Sequence, residues 1–117
     1  MGYKSRVAIV LKKEVNAQLK ADIVMCVNGH QQKIMNFLKS AEIHTKENGD
    51  VLYSWDWMKW YDDYPVISFI KKFLERADDS TYHYIRLGEE NDDMEERGHY
   101  WDDPFDLRII RDIKYDV

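Results

Sequence analysis

Residues 51–74, VLYSWDWMKWYDDYPVISFIKKFL, decide the fold because they place a strand beside the clearest amphipathic helix of the chain. Residues 51–57 are rich in β-branched and aromatic side chains and follow Asn48-Gly49, a strong hairpin signal. Pro65 suits the first position of a helix, and Asp62 and Asp63 lie where carboxylates favour a helix N-terminus. The apolar side chains that then recur at steps of three and four are Val66, Phe69, Ile70, Phe73 and Leu74. This stripe predicts a helix packed on a sheet.

The remaining patterns predict one α+β domain spanning residues 1–117. A strand over 5–11 precedes a helical stripe of Val15, Leu19, Ile23, Cys26 and Val27, which should end near Asn28-Gly29. The further elements are a helical segment over 30–39, hairpin strands over 41–46 and 51–57, the long helix, and a strand over 81–87. This order is the split βαβ arrangement of ferredoxin-like folds, with both helical layers on one face of an antiparallel sheet. Residues 107–115 predict an extra C-terminal strand at a sheet edge or paired with residues 81–87.

The hairpin turn decides which face the aromatic residues occupy. A two-residue turn at Asn48-Gly49 would put Tyr53, Trp55 and Trp57 beside charged and titratable residues of the facing strand. We expect that wetter face to be open, and we predict these three aromatic residues to be a partner-binding row. The alternative is a bulge at Gly49, which shifts the register by one residue and returns the aromatic side chains to the core.

Negative charge is concentrated in residues 89–106, which carry nine acids and one arginine, a net charge of −8 in a chain whose total is −5. We expect this segment to be a polar connection whose end is tied down by Tyr100, Trp101 and Phe105. It can be a solvated loop, a decoy whose carboxylates imitate phosphates, or a divalent cation site. The calcium-loop spacing is missing, since Gly88 precedes the acids and Gly98 follows them, and we therefore predict no metal.

Several classes of function find little support in the sequence. The four histidines are dispersed, and no His-Glu-x-x-His, Walker loop or Gly-x-Ser-x-Gly motif occurs, so we expect no enzyme activity and no cofactor. Direct nucleic-acid binding is disfavoured by the sign of the charge. The longest N-terminal apolar run, residues 7–11, is too short for a membrane span, and the single cysteine suits a reducing cytoplasm.

Two blocks carry a resemblance to known proteins. Residues 54–61, SWDWMKWY, and residues 85–89, IRLGE, followed by Asp92-Asp93 and Glu95-Glu96, resemble small acidic accessory proteins of tailed bacteriophages. The resemblance implies a protein made in the host cytoplasm during infection. Inhibitors of bacterial immune systems, including anti-CRISPR proteins, recur in that class.

These observations lead to one hypothesis and two alternatives. The hypothesis is a non-enzymatic, phage-type inhibitor that binds a basic surface of a bacterial protein or ribonucleoprotein. Its apolar anchors would be Tyr53, Trp55 and Trp57, and its steering charges would be Asp92, Asp93, Glu95 and Glu96. The first alternative is a small-ligand protein in which Arg86 contacts the phosphate of a nucleotide signal. The second is a homodimer formed through the open aromatic face.

Overall fold

The computed structural model describes residues 2–26, 29–90, 92–109 and 113–117. Three helices and seven strands occur in these ranges, with a 3₁₀ turn at Asp79–Thr81. Their order is β1 (Ser5–Leu11), α1 (Lys13–Val24), α2 (Gln31–Lys39), β2 (Glu42–Thr45), β3 (Val51–Met58), α3 (Pro65–Arg76), β4 (Tyr82–Leu87), β5 (Met94–Arg97), β6 (Arg108–Ile109) and β7 (Ile113–Lys114). The predicted continuation of the first helix through Val27 and Asn28 lies outside the described residues.

Five strands form one antiparallel sheet in the order β2-β3-β1-β4-β5. A mixed α+β fold built on such a sheet is therefore confirmed. The predicted C-terminal strand is wrong, because within the described residues β6 and β7 pair with each other in a separate two-stranded sheet and with no strand of the main sheet. The added edge strand is instead β5, which arises within the acidic segment that we expected to be an irregular connection.

The helices pack on one face of this sheet. Helix α3 begins at Pro65 as predicted, and it buries Ile67 together with Ile70, Phe73 and Leu74, whereas Val66 and Phe69 are only partly buried. The core on this side combines the buried side chains of all three helices with alternate residues of the central strand, namely Val7, Ile9 and Leu11. Because the sheet residues alternate between faces, this core fixes which side chains of β3 and β4 point toward the helices.

The β2–β3 hairpin differs from the predicted one by one residue. Lys46 N–H donates to the Asp50 carbonyl and Gly49 N–H donates to the Lys46 carbonyl, each at 2.9 Å, and Gly49 has φ of 93°. This is a three-residue loop closed by a glycine in the left-handed region, and it pairs Ile43 with Tyr53. The two-residue turn is thus wrong, and the alternative bulge at Gly49 is what the chain adopts.

The one-residue shift moves the aromatic row to the helix side of the sheet. Tyr53 is 3% exposed and Trp55 is 4% exposed, and both belong to the core beneath the helices. Trp57, at the end of β3 with φ of 48°, is 51% exposed. The predicted exposure of Tyr53 and Trp55 is therefore wrong, and their side chains leave almost no surface for a partner to contact.

The second face of the sheet, which we expected to be open, is covered by the C-terminal segment. Phe105, Leu107 and Ile113 are buried there in a core with Ala8, Val10, Leu52 and Ile85 of the sheet. Two polar contacts join this C-terminal segment to the β2–β3 hairpin. The Tyr100 hydroxyl donates to Asp50, and the Lys46 ammonium lies 5.2 Å from the centre of the Phe105 ring. The domain consequently has an apolar core on each side of the sheet.

Candidate functional site: the acidic surface around strand β5

The acidic segment is ordered by strand β5, which pairs with β4 in the register Arg86 opposite Glu95 and Leu87 opposite Met94. Alternation along the strand sends Glu95 to the helix face and Glu96 to the face covered by the C-terminal segment. Carboxylates that are close in the sequence therefore have different neighbours.

Arg86 organises the helix face of β5. Its guanidinium donates two hydrogen bonds to Asp93, of 2.8 and 3.2 Å, one of 3.3 Å to Glu95 and one of 3.1 Å to Ser5. The Arg86 hydrogen bonds, followed by one of 2.5 Å from the Tyr3 hydroxyl, lower the pKa of Asp93 to about 2. Asp93 is consequently ionised at neutral pH and ties the start of β5 to β4 and to the N-terminal residues.

Glu95 lies at the centre of a second group of contacts. Burial alone would raise its pKa, but hydrogen bonds from Lys71 and Tyr84 outweigh burial and hold the pKa below its ordinary value. The Lys71 ammonium lies 3.0 Å from Glu95, the Tyr84 hydroxyl 2.9 Å and the Arg97 guanidinium 3.0 Å. Burial, followed by the charge and hydrogen bond of Glu95, raises the pKa of the Tyr84 hydroxyl. Glu95 thus joins α3, β4 and β5.

On the opposite face, Glu96 contacts His83 at 2.6 Å from ring Nε2. The other ring nitrogen lies 4.0 Å from Asp103, whose carboxylate accepts backbone N–H groups of Phe105 and Leu107 at 2.7 and 2.9 Å. Asp103 therefore shapes the turn that leads into the cover of this face, and His83 lies between two carboxylates.

A cleft opens on each side of β5. The first, which we term the Tyr61 cleft, has a volume of about 680 Å³ and contains four carboxylates and two cationic side chains. Its charged residues are Asp62, Asp63, Asp93, Glu95, Lys71 and Arg86, and its aromatic residues are Tyr3, Trp60 and Tyr61. Lys71 bridges Asp62, at 2.8 Å, and Glu95. The net charge of the lining is negative.

The second, the Trp101 cleft, has a volume of about 350 Å³ on the face covered by the C-terminal segment. Among the described residues that line it, Glu96, Asp103 and Asp106 carry carboxylates and Arg97 carries a guanidinium. Trp101 lines it and is 92% exposed, although we expected this side chain to tie the segment down. Apolar packing of the segment comes from Phe105 and Tyr100 instead.

The structure brings together only part of the predicted site. Asp93 and Glu95 lie in the Tyr61 cleft and Glu96 lies in the Trp101 cleft, while Asp92 is exposed at the turn before β5. Tyr53 and Trp55 are in the core, and Trp57 is exposed near the C-terminal end of β3, with β1 and β4 between β3 and β5. The residues that the sequence reasoning missed are Trp101, Tyr61, Asp62 and Asp63. A tryptophan flanked by carboxylates, as in Trp101-Asp102-Asp103, was the available signal for an exposed aromatic residue.

The sequence also raised a divalent cation site and a phosphate contact at Arg86 as uses of this surface. Within residues 2–26, 29–90, 92–109 and 113–117, no three His, Cys, Asp or Glu side chains come together as a metal site. None of the helices in those ranges has the length and apolar character needed to cross a membrane. The Arg86 guanidinium, proposed as a phosphate contact, is already engaged by Asp93, Glu95 and Ser5.

Comparison with known proteins adds no family to this description. No protein-family model matches the sequence, and neither the curated proteins nor the solved structures contain a significant match.

Proposed function

We propose that this chain is a non-enzymatic interaction protein that binds a basic surface of a partner protein through the acidic surface around β5. The observation that carries the proposal is Trp101, 92% exposed at a cleft lined by three carboxylates and one arginine. An exposed tryptophan supplies a large, rigid contact area, and its ring also attracts cationic side chains. Lys or Arg side chains of a partner would meet the ring together with the exposed carboxylates of Glu96 and Asp106, whereas Asp103 is occupied by the backbone of the turn.

The charges divide into two groups with different tasks. Asp93 and Glu95 are engaged within the chain and stabilise β5, so their contribution to a partner is indirect. The exposed carboxylates of this segment supply long-range attraction, and they are those of Glu89, Glu90, Asp92, Glu96, Asp102 and Asp106. Of these, Glu96 contacts His83, and Asp106 pairs with Arg108 at 2.9 Å. We expect these acids to govern the association rate and its salt dependence, and Trp101 to govern dissociation.

The resemblance to phage accessory proteins extends the proposal to a class of partner. If the chain is such a phage protein, its partner is a bacterial protein or ribonucleoprotein with a basic nucleic-acid-binding surface. The chain would block that surface in the host cytoplasm as a stoichiometric inhibitor. The net charge of −8 in residues 89–106 supports a partner of opposite sign.

Affinity capture from bacterial lysate tests the proposal with matched variants. The test variants are Trp101→Ala and the double variant Asp102→Asn/Asp106→Asn. The control, Glu14→Gln/Glu47→Gln, makes the same change of net charge at exposed positions far from β5 in the sequence. We expect wild type and control to retain the same protein at low salt, and both test variants to lose it. Retention that is equal in all four proteins and unchanged at high salt would contradict the proposal.

The two alternatives have less support. A nucleotide phosphate at Arg86 would have to displace Asp93, whose two hydrogen bonds to the guanidinium are of the strong, charge-assisted kind. A homodimer through the aromatic row would need Tyr53 and Trp55 at the surface, and both are buried. Binding of a basic partner at β5 requires neither change.

The finer assignment of the fold is also a proposal. Strand β1 lies between β3 and β4, both pairings are antiparallel, and β2 lies outside β3. These relations support a ferredoxin-like core made of β1 to β4, to which β5 adds an edge.

A further inference from the structure

We infer that strand β5 binds an extended basic segment of the partner as an additional antiparallel strand. The inference rests on the proposed function and deepens it, because it names the form of the partner segment and the backbone groups that bind it. Strand addition uses main-chain hydrogen bonds for affinity and alternate side chains for specificity.

The hydrogen-bonding pattern shows which groups of β5 are available. Gly88 N–H donates to the Asp93 carbonyl at 2.8 Å, so the opposed pair Gly88 and Asp93 is hydrogen-bonded. In an antiparallel ladder such pairs alternate, and Glu95 and Arg97 therefore also direct their backbone groups toward β4. The N–H and C=O groups of Met94 and Glu96 consequently point to the outer side of the strand.

That outer side is accessible. Strand β5 is the last strand of the sheet, and no other strand in the part of the chain that the structure describes pairs with its outer side. The Met94 side chain is 53% exposed, and the Glu96 side chain, although it contacts His83, is about half exposed. An incoming strand would find an apolar contact at Met94 and a carboxylate at Glu96, with Asp106 and Trp101 near by in the Trp101 cleft.

Charge distinguishes two candidates for the strand that pairs with this edge, a second copy of β5 and a basic segment of a partner. A second copy of β5 would bring its own half-exposed Glu96 close to the same residue, and like charges that face each other in a sheet are destabilising. A strand that carries Lys or Arg reverses the sign of these contacts. The other edge strand, β2, does not offer the same selection, because Lys39 and Lys46 flank its single carboxylate, Glu42. The geometry and the charge therefore favour a basic strand at β5.

A capped peptide of alternating lysine and valine is a suitable probe. We expect it to bind at low salt and to slow hydrogen exchange at the Met94 and Glu96 amides, measured by NMR, while the Glu95 and Arg97 amides, already bonded to β4, change little. The same peptide with N-methyl groups on alternate residues keeps its charge and loses backbone donors. Its affinity should fall roughly tenfold or more, since several hydrogen bonds are lost together.

Two protein variants test the same edge from the other side. Met94→Pro removes an outward N–H at a position where an edge strand tolerates proline, whereas Met94→Ala shortens the side chain and keeps the N–H. We expect Met94→Pro to lose the probe and Met94→Ala to retain most of the affinity, with circular dichroism confirming that both are folded.

The outcomes separate this inference from the proposed function. Equal binding of the plain and N-methylated peptides, or binding without slower exchange at Met94 and Glu96, overturns strand addition; if Trp101→Ala also weakens that binding, the acidic surface itself is supported. If neither peptide binds wild type at low salt, strand addition is overturned, and the capture experiment decides the proposed function separately.

Discussion

The substitution Trp55→Ala measures directly whether the aromatic row lies in the core. The Trp55 indole stacks on Phe37 with ring centres 5.0 Å apart and lies 5.3 Å from Trp60. Its N–H donates weakly to the Phe37 carbonyl and the Ser40 hydroxyl, at 3.4 and 3.3 Å. Truncation would remove these contacts and leave a cavity between α2 and β3.

The expected loss is large for a domain of this size. Replacing a buried aromatic residue with alanine costs about 3–5 kcal/mol, and a domain of this kind has a total stability of about 5–15 kcal/mol. Urea denaturation followed by circular dichroism should therefore show a much lower midpoint with an unchanged slope. The midpoint of thermal unfolding should fall by roughly 10–20 °C.

Trp101→Ala is the matched control, because the same chemical change is made at a side chain that is 92% exposed. Its unfolding free energy should change by less than about 0.5 kcal/mol. A loss below about 1 kcal/mol in Trp55→Ala would refute the reasoning, since it would mean that the register of the hairpin exposes this ring.

Three further predictions concern β4 and β5. Tyr84→Phe removes the hydroxyl that accepts the Trp60 N–H at 2.9 Å and should cost about 1–3 kcal/mol in urea denaturation, because the indole donor is left buried without that acceptor. Gly98→Ala should cost at least about 2 kcal/mol in the same assay, since φ is 85° and the new Cβ would lie 2.2 Å from a carbonyl oxygen of β4. Asp93 has a folded pKa of about 2, held down first by Arg86, against 3.8 for the free side chain. Its contribution is therefore fully present above about pH 4 and is lost as the pH falls toward about 2; Asp93→Asn should show a smaller loss of stability across that window, and an identical pH dependence in both proteins would contradict the assignment.

The elements that the sequence predicted well are those with a strong apolar pattern. The continuous apolar run of residues 7–11 predicted β1, and the stripe after Pro65 predicted α3 with its first residue. The register of the hairpin could not be predicted because Asn48-Gly49 suits both a two-residue turn and a three-residue loop that ends on a left-handed glycine. The two differ by one residue, which exchanges every side chain of the strand between faces.

The cover of the second face was missed for a different physical reason. Alternating apolar residues over 107–115 are typical of a strand, but their burial depends on contact with Ala8, Val10 and Leu52, which are distant in the sequence. The local sequence pattern of residues 107–115 contains no information about which face of the sheet this segment packs against. The same limit applies to Trp101, whose exposure follows from the path of the chain between β5 and Phe105.

Because some carboxylates of residues 89–106 stabilise β5 and others are exposed, the choice of acids to neutralise decides what a binding experiment measures. Neutralising Asp92, Asp93, Glu95 and Glu96 together would remove exposed charge, but it would also leave Arg86 without the two carboxylates that engage it. Lys71 would lose Glu95 and keep only Asp62 of the two carboxylates that it bridges. Removing one side of a partly buried ion pair is destabilising, so such a variant would lose a partner through the loss of β5 whether or not its charges attract that partner. Asp102 and Asp106 are exposed, and changing them leaves Asp93 and Glu95 in place and affects one ion pair, that of Asp106 with Arg108 at 2.9 Å. Binding that is lost on changing Asp102 and Asp106, with the unfolding free energy unchanged, would therefore separate attraction of the partner from support of the fold.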